Sequence, residues 1–247
     1  MKQITNREIK LVRSLSSKKG RDESGLFVVE GEKMVSEALK SRFEVEAVYR
    51  REETGEEVMS RISSLSSPSP VLAVVKKPAS VESGEYELPD RGLFLALDSI
   101  RDPGNLGTII RIADWFGIKS VLASRDTVEL FNPKVVQATM GAIFRVDFHY
   151  VDLEKFASDV LKSGGKVYGT FLDGKDIYSR ELETGLERPG VIVIGNEANG
   201  ISPGMAALVS DRLYIPPYPA DDPGSESLNA AVATAVTVAE FRRRAHI

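Results

Sequence analysis

Apolar and polar positions along this chain fall into two regimes separated by a weakly patterned stretch. Ahead of that stretch, residues 4–15 carry apolar positions at helical spacing, LFVVEG is strand-like, residues 32–40 are helical, and VEAVYR and VLAVVKK read as strands flanking a further helix. Residues 63–70, SSLSSPSP, read as a loop, and residues 78–92 mix proline and glycine with acidic side chains. Beyond it, the compact apolar runs LFLALDSI, SVLAS, RVDFHYV, KVYGTFL, GVIVIGN and RLYIP alternate with helical stretches. Continuous apolar strands separated by helices predict a parallel sheet covered on both faces. The expected organisation is a small α/β unit over residues 1–88 and a parallel α/β domain over residues 89–247. In such sheets, sites form beyond the carboxyl ends of the strands.

Three segments interrupt the pattern, each after a predicted strand. In residues 97–117, LDSIRDPGNLGTIIRIADWFG, Pro103 and Gly104 make a turn and Asn105 is the expected helix cap. The helix then buries Leu106, Ile109, Ile110, Ala113 and Phe116. At about 100° per residue, Arg111 falls opposite that stripe, as a solvated arginine or as one that faces a partner or substrate. In residues 191–204, VIVIGNEANGISPG, a buried strand runs into a glycine-punctuated turn before a helix begun by Ser202 and Pro203. The turn is a plain connection or a close approach of backbone to a ligand. It is neither a Walker loop nor a G-x-G-x-x-G fingerprint. Residues 215–244 open with a proline-rich loop, offer Ser225 and Ser227 as helix caps, and continue into a helix rich in small residues, Ala230, Ala231, Ala233, Thr234 and Ala235. Those residues suit a dimer contact and core packing equally, and three arginines at the end favour the helix dipole.

Composition narrows the chemistry. The absence of cysteine excludes disulfides, thiolate catalysis and cysteine-ligated metals. His149 and His246 are the only histidines, no carboxylates show paired ligand spacing, and no metal site is expected. Without a G-x-S-x-G elbow, a Ser-His-Asp hydrolase is set aside. The net charge is −4, yet residues 1–21 hold Lys2, Arg7, Lys10, Arg13, Lys18, Lys19 and Arg21 against Glu8 alone, a local +6. That segment is a solvated helix face or a phosphate-binding patch. No apolar run approaches the roughly 20 residues of a membrane span, and the start lacks an apolar signal core, so a cytoplasmic location without membrane contact is expected.

Taken in order, the three segments resemble the signature motifs of the SpoU (TrmH-like) RNA 2′-O-ribose methyltransferases of the SPOUT superfamily. Asn105, Gly107 and Arg111 match the first motif. Gly195, Asn196, Glu197 and Gly200 match the second, and Ile215, Pro216, Ser227, Leu228 and Asn229 the third. The resemblance covers residues 90–247, and LFVVEGEKMVSEAL is similar to the small substrate-binding domain often joined to it. Ala198, Asn199, Ala230 and Ala231 depart from the commonest residues of these motifs, and each is small or polar. The resemblance implies a parallel sheet whose C-terminal segment forms a deep trefoil knot, a homodimer, S-adenosylmethionine as cofactor, and a ribosomal or transfer RNA substrate methylated on a ribose 2′-hydroxyl. It further implies cofactor contacts from Gly195, Ile215 and Leu228 main chain, with Asn196, Gly200 and Asn229 beside them and Thr170 and Leu172 flanking the adenine. The implied catalytic set is Arg111, as base or as stabiliser of the developing alkoxide, with Asn105, Glu197, Ser227 and Asn229 orienting groups around it.

Two other classes compete. One is an RNA-binding module that keeps the fold without the chemistry, which the intact Arg111, Glu197 and Asn229 oppose. The other is a nucleotide-dependent oxidoreductase, which the lack of a G-x-G-x-x-G after any early strand opposes.

Overall fold

The computed structural model describes residues 4–179, 182, 187–219 and 227–245. Lys2, Ser225 and His246 lie outside the described residues. Contacts divide the chain into two units, Met1–Ala79 with Glu129–Arg145, and Ser80–Val128 with Val146–Ile247.

The first unit runs α1 (Asn6–Ser14), α2 (Lys18–Ser24), β1 (Leu26–Glu30), α3 (Glu32–Lys40), β2 (Val45–Arg50), α4 (Arg51–Thr54), α5 (Glu56–Ile62) and β3 (Val71–Lys76). A capping box starts α1: Thr5 N–H donates to Glu8 Oε2 at 2.7 Å, and Glu8 N–H donates back to Thr5 Oγ1 at 3.2 Å. The three strands form an antiparallel sheet ordered β1-β3-β2. Ile9, Val12 and Leu15 join Met59 and Ile62 over Leu72 and Val74 of the central strand.

Structure revises the reading of the basic segment. Arg21 is only 2 % exposed; its guanidinium grips both carboxylate oxygens of Glu129, at 2.9 and 2.5 Å, and donates to Leu15 O at 2.7 Å. A guanidinium so engaged is unavailable to phosphate. Lys18 pairs with Asp22 at 2.5 Å and Lys19 with Glu23 at 3.8 Å, acids that lie just beyond the segment counted as +6. Arg7, Lys10 and Arg13 remain exposed on α1, whose buried residues are Ile9 and Val12.

The second unit runs β4 (Gly92–Leu97), α6 (Pro103–Trp115) and β5 (Ser120–Ala123). After α7 (Pro133–Ala138), which belongs to the first unit, it resumes with β6 (Asp147–Tyr150), α8 (Leu153–Lys162), β7 (Lys166–Asp176), β8 (Pro189–Ile194), α9 (Pro203–Leu208), β9 (Asp211–Tyr214) and α10 (Ala230–Ala245). Its strands form one parallel sheet ordered β6-β5-β4-β8-β7-β9. The chain steps outward from β4 through β5 to β6, then returns on the other side of β4, so the switch of direction lies between β4 and β8. A crevice outside the carboxyl ends of these two strands is the place for a ligand in such a sheet.

The division at Ala79/Ser80 differs from the expected break at 88/89, and the second unit shows why. Tyr86 donates its hydroxyl to Asp159 on α8 at 2.7 Å and meets Phe156 edge to face, and Leu88 packs on the same core. The intervening Glu129–Arg145 segment adds to the first unit because Phe131 packs on Phe27 and Glu129 binds Arg21. Neither partnership has a local signature.

Helix α10 lies on α6 within the second unit, burying Ala230, Ala231 and Thr234, so much of its small-residue character serves core packing. Its end is tied down by Arg242, which donates to Phe116 O at 2.8 Å and Gly117 O at 3.2 Å. Arg243 and Arg244 bracket buried Glu240; hydrogen bonds from Arg243 first, and then Arg244, overcome burial and hold its carboxyl down at about 2.

Candidate active site

The three interrupting segments meet at the switch point. Leu97 of β4 pairs with Ile194 of β8, and Asp98 N–H continues the ladder to Ile194 O at 2.9 Å. The chain then leaves β4 into α6 and leaves β8 into the Gly195–Gly200 loop.

Helix α6 begins earlier than expected. Asp102 is the cap, its Oδ1 accepting from Asn105 N–H at 2.7 Å, and Pro103 takes the first helical position. Proline there needs no N–H and has its φ preset, which moves the start ahead of Asn105. The Asn105 side chain is thereby released from capping and points its amide at Glu197. Arg111 is exposed, as the periodicity predicts, while Phe116 is half-buried at the helix end.

Glu197 is the hub. Its Oε1 accepts from Asn105 Nδ2 at 2.9 Å and from Asp102 N–H at 3.2 Å, and its Oε2 accepts from Arg101 N–H at 3.2 Å. Burial pushes its carboxyl up, but hydrogen bonds from Asn105 and the backbone prevail and hold it below the usual carboxylate range. With its amide nitrogen committed to Glu197, Asn105 presents Oδ1 to Asn229 Nδ2 at 2.8 Å. Asn229 then turns its Oδ1 to the N–H groups of Ala231 and Val232, at 2.9 and 3.3 Å. Asn229, not Ser227, thus caps α10, and Ser227 is exposed two residues ahead of it. One carboxylate fixes the orientation of two amides in series, and the series ends on a helix N-terminus.

The loop carrying Glu197 closes on itself. Asn196 and Gly200 exchange both backbone hydrogen bonds at 2.9 Å, and Asn196 Oδ1 accepts from Ala198 and Asn199 N–H at 3.0 Å. Gly195 has no room for a side chain: a Cβ would stand 2.3 Å from both Gly200 C and Ile201 N. Those are atoms of the chain itself, so a valine at this position clashes with the loop and cannot act merely by blocking a ligand.

A cavity of about 810 Å³ opens beside the hub, lined among others by Asp98, Arg101, Asp126, Glu197 and Ser202. Ser99 in its wall has φ 61°, a conformation uncommon for serine. Its N–H donates to Ser124 Oγ at 2.9 Å and its hydroxyl to Asp126 at 2.6 Å. Burial raises the Asp126 carboxyl, yet hydrogen bonds from Ser124 and Ser99 and the charge of Arg101 bring it below the ordinary range. Sequence reading passed over Asp98, Ser99, Asp102 and Asp126; only Asp102, as an Asp-Pro pair opening a helix, carried a local signal.

The remaining predicted residues sit at neighbouring strand ends. Thr170 pairs with Leu213 of β9, after which residues 171–174 bulge out before Lys175 pairs with Leu213 again. Leu172 in that bulge is 70 % exposed, Ile215 directly follows β9, and Leu228 directly precedes Asn229 with about half its surface open. Asn105, Glu197 and Asn229 are joined by hydrogen bonds, whereas Arg111 makes no hydrogen bond or ion pair among the described residues. Among the described residues no group of three or more histidines, aspartates or glutamates could hold a metal ion.

Three loops, one of them amide-rich and organised by a carboxylate, thus meet at the switch point of the parallel sheet. Residues 92–239 match the SpoU rRNA Methylase family and residues 6–77 the MRM3-like substrate binding domain. The chain is 31 % identical, over 98 % of its length and 100 % of the relative's, to the 23S rRNA (guanosine(2553)-2′-O)-methyltransferase RlmP of Bacillus subtilis. Among solved structures it is similar to a protein of the TrmH family from Porphyromonas gingivalis, at 36 % identity and TM-score 0.86, covering 98 % of this chain and 99 % of that one. It is also similar to the S-adenosylmethionine-bound rRNA methyltransferase of Sinorhizobium meliloti, at 29 % identity and TM-score 0.86, covering 99 % and 97 %. The chain belongs to the SpoU rRNA methylase family and is an S-adenosylmethionine-dependent RNA 2′-O-methyltransferase.

Proposed function

We propose that the substrate is ribosomal RNA and the acceptor the 2′-hydroxyl of one guanosine of the large-subunit RNA. The full-length likeness to the Bacillus subtilis guanosine methyltransferase supports the substrate. The observation that carries the chemistry is the Glu197–Asn105–Asn229 series, which unites three distant segments around one ionised carboxylate. Incubating the enzyme with methyl-labelled S-adenosylmethionine and unmodified large-subunit RNA should label one ribose; label confined to transfer RNA would refute this substrate.

Residues at the strand ends fit the cofactor. Leu172 and Leu228 leave apolar surface uncovered, suited to an adenine face, and Ile215 and Leu228 lie outside the helices and strands. We assign cofactor contact to the main chain of Gly195, Ile215 and Leu228, to Asn196, Gly200 and Asn229, and to Thr170 and Leu172 beside the adenine. When bound, the sulfonium supplies an already electrophilic methyl group. Glu197 accepts three hydrogen bonds, so it orients Asn105 rather than taking a proton from substrate. Guanidinium resists deprotonation, which assigns Arg111 to stabilising negative charge that develops on the ribose oxygen. Ser227 stands beside Asn229 to orient the ribose. In this reading the C-terminal segment forms the family's deep trefoil knot, which an experimental chain trace through residues 189–245 would confirm or refute, and the enzyme acts in the cytoplasm, which cell fractionation checks.

A homodimer is part of the reading. Trp115, one turn beyond Arg111 on α6, is 84 % exposed, and Val232 on α10 is about half exposed. An exposed tryptophan suits a contact surface, where tryptophan often carries much of the binding energy. Sedimentation should find a dimer that Trp115→Asp weakens by about 10-fold or more; a fully active wild-type monomer at assay concentration would rule the dimer out.

The RNA-facing surface of the first unit is assigned to Arg7, Lys10 and Arg13. Each phosphate contact contributes roughly 0.7–0.9 to the slope of log affinity against log salt. Replacing all three by alanine should flatten that slope by about 2, while alanine at Lys18 and Lys19 leaves it in place. Equal slopes for wild type and the triple variant would refute the assignment.

A further inference from the structure

Asp98, at the carboxyl end of β4, is 5 % exposed, and its Oδ2 accepts from Ser202 N–H at 2.7 Å. The next residue, Ser99, offers its carbonyl to Asn196 Nδ2 at 2.7 Å. Two successive residues of one strand end therefore grip both ends of the loop that carries Glu197. The Asn196 end is held twice, by its side chain on Ser99 and by its backbone pairing with Gly200. At the Ser202 end the anchor is the carboxylate. Burying a carboxylate is costly unless hydrogen bonds compensate, and the short one here comes from a backbone amide of the loop itself, with Ser99 Oγ at 3.5 Å from the other oxygen.

We propose that Asp98 is a positioning residue for methyl transfer: by holding Ser202 it sets where Glu197 stands, and through Glu197 the orientation of Asn105 and Asn229. This rests on the assignment of that series to the active site. Loss of the anchor lets Glu197 shift along the loop, and misplacement by about 1 Å costs up to about 10²-fold in rate. The same loop carries Gly195, Asn196 and Gly200, so S-adenosylmethionine affinity falls with the anchor, and the effect on the chemical step is read at saturating cofactor; RNA affinity holds, because Asp98 does not lie on α1.

The test uses the full-length enzyme in single-turnover methyl transfer at saturating S-adenosylmethionine and ribosomal RNA, with RNA affinity and melting measured on the same samples. Asp98→Ala should slow transfer by about 10-fold or more with RNA affinity within about 2-fold, and Asp98→Asn should restore most of the rate because its amide oxygen still accepts from Ser202 N–H. Ser202→Pro removes the donor at a position whose φ of −59° and ψ of 152° proline adopts. It should be slow alone, and combining it with Asp98→Ala should add little, as for two ends of one bond. Wild-type rate in folded Asp98→Ala, alongside a slow Glu197→Ala, would overturn the proposal and leave the active-site assignment standing. Wild-type rate in Glu197→Ala would overturn the assignment itself. If Asp98→Ala does not fold, folded Ser202→Pro decides: a slow variant supports the anchor, a full rate overturns it.

Discussion

Arg111→Ala should lower the single-turnover rate of methyl transfer by about 10²-fold or more and leave the protein otherwise intact. The side chain is exposed, makes no hydrogen bond or ion pair among the described residues, and lies opposite the face of α6 that buries Leu106, Ile109 and Ala113. Its removal should therefore change stability by less than about 0.5 kcal/mol. Affinity for S-adenosylmethionine should hold, because the assigned cofactor contacts lie at the bulge within β7, on the loops after β8 and β9 and just ahead of α10. Arg111→Lys should recover little of the rate, since an ammonium lacks the planar fork that can address a ribose oxygen and a neighbouring phosphate together. Turnover by Arg111→Ala near the wild-type value, on the correct RNA, would remove Arg111 from the mechanism.

Gly195→Ala should be damaging in a different way. Its Cβ would lie 2.3 Å from Gly200 C and Ile201 N and 2.6 Å from Gly200 O, all backbone atoms that no rotamer change can move. The paired hydrogen bonds between Asn196 and Gly200 must open to admit it. Overpacking of this kind costs about 1–3 kcal/mol, and S-adenosylmethionine affinity should fall by about 10²-fold with it. Gly200→Ala is the contrast: a Cβ there meets nothing within 4 Å, and only its φ of 69° opposes the change. That strain amounts to roughly 1–2 kcal/mol. Calorimetric titration and melting of both variants check the pair. A folded Gly195→Ala with unchanged cofactor affinity would mean that the loop is looser than its geometry shows.

Much of this architecture was legible in the sequence because burial writes itself as pattern. All six apolar runs beyond the weak stretch became strands of the parallel sheet, and the helix expected over residues 32–40 is α3. The three motif segments were legible because each departs from that pattern at a strand end. What was not legible depends on partners far away in the chain. Arg21 reads as one more surface cation until Glu129 arrives beside it from 108 residues on. Tyr86 and Leu88 read as linker, yet Tyr86 binds α8, Leu88 packs on the same core, and the break falls upstream at Ala79/Ser80. Asn105 looked like a cap because its type caps helices; Asp102 and Pro103 do so instead, and the freed amide becomes the middle member of the Glu197–Asn105–Asn229 series. Asp98 and Asp126 are ordinary aspartates in the sequence, and their places at the switch point follow only from strand order.

The central claim is that this enzyme methylates a ribose hydroxyl of ribosomal RNA. The most direct measurement maps 2′-O-methylation at every nucleotide of total RNA from cells with and without the gene. The account predicts the loss of one 2′-O-methyl group, on a guanosine of the large-subunit RNA, restored by the wild-type gene and not by Arg111→Ala. An identical ribose methylation map in the two strains, with a methyl group missing instead from a base, would contradict it.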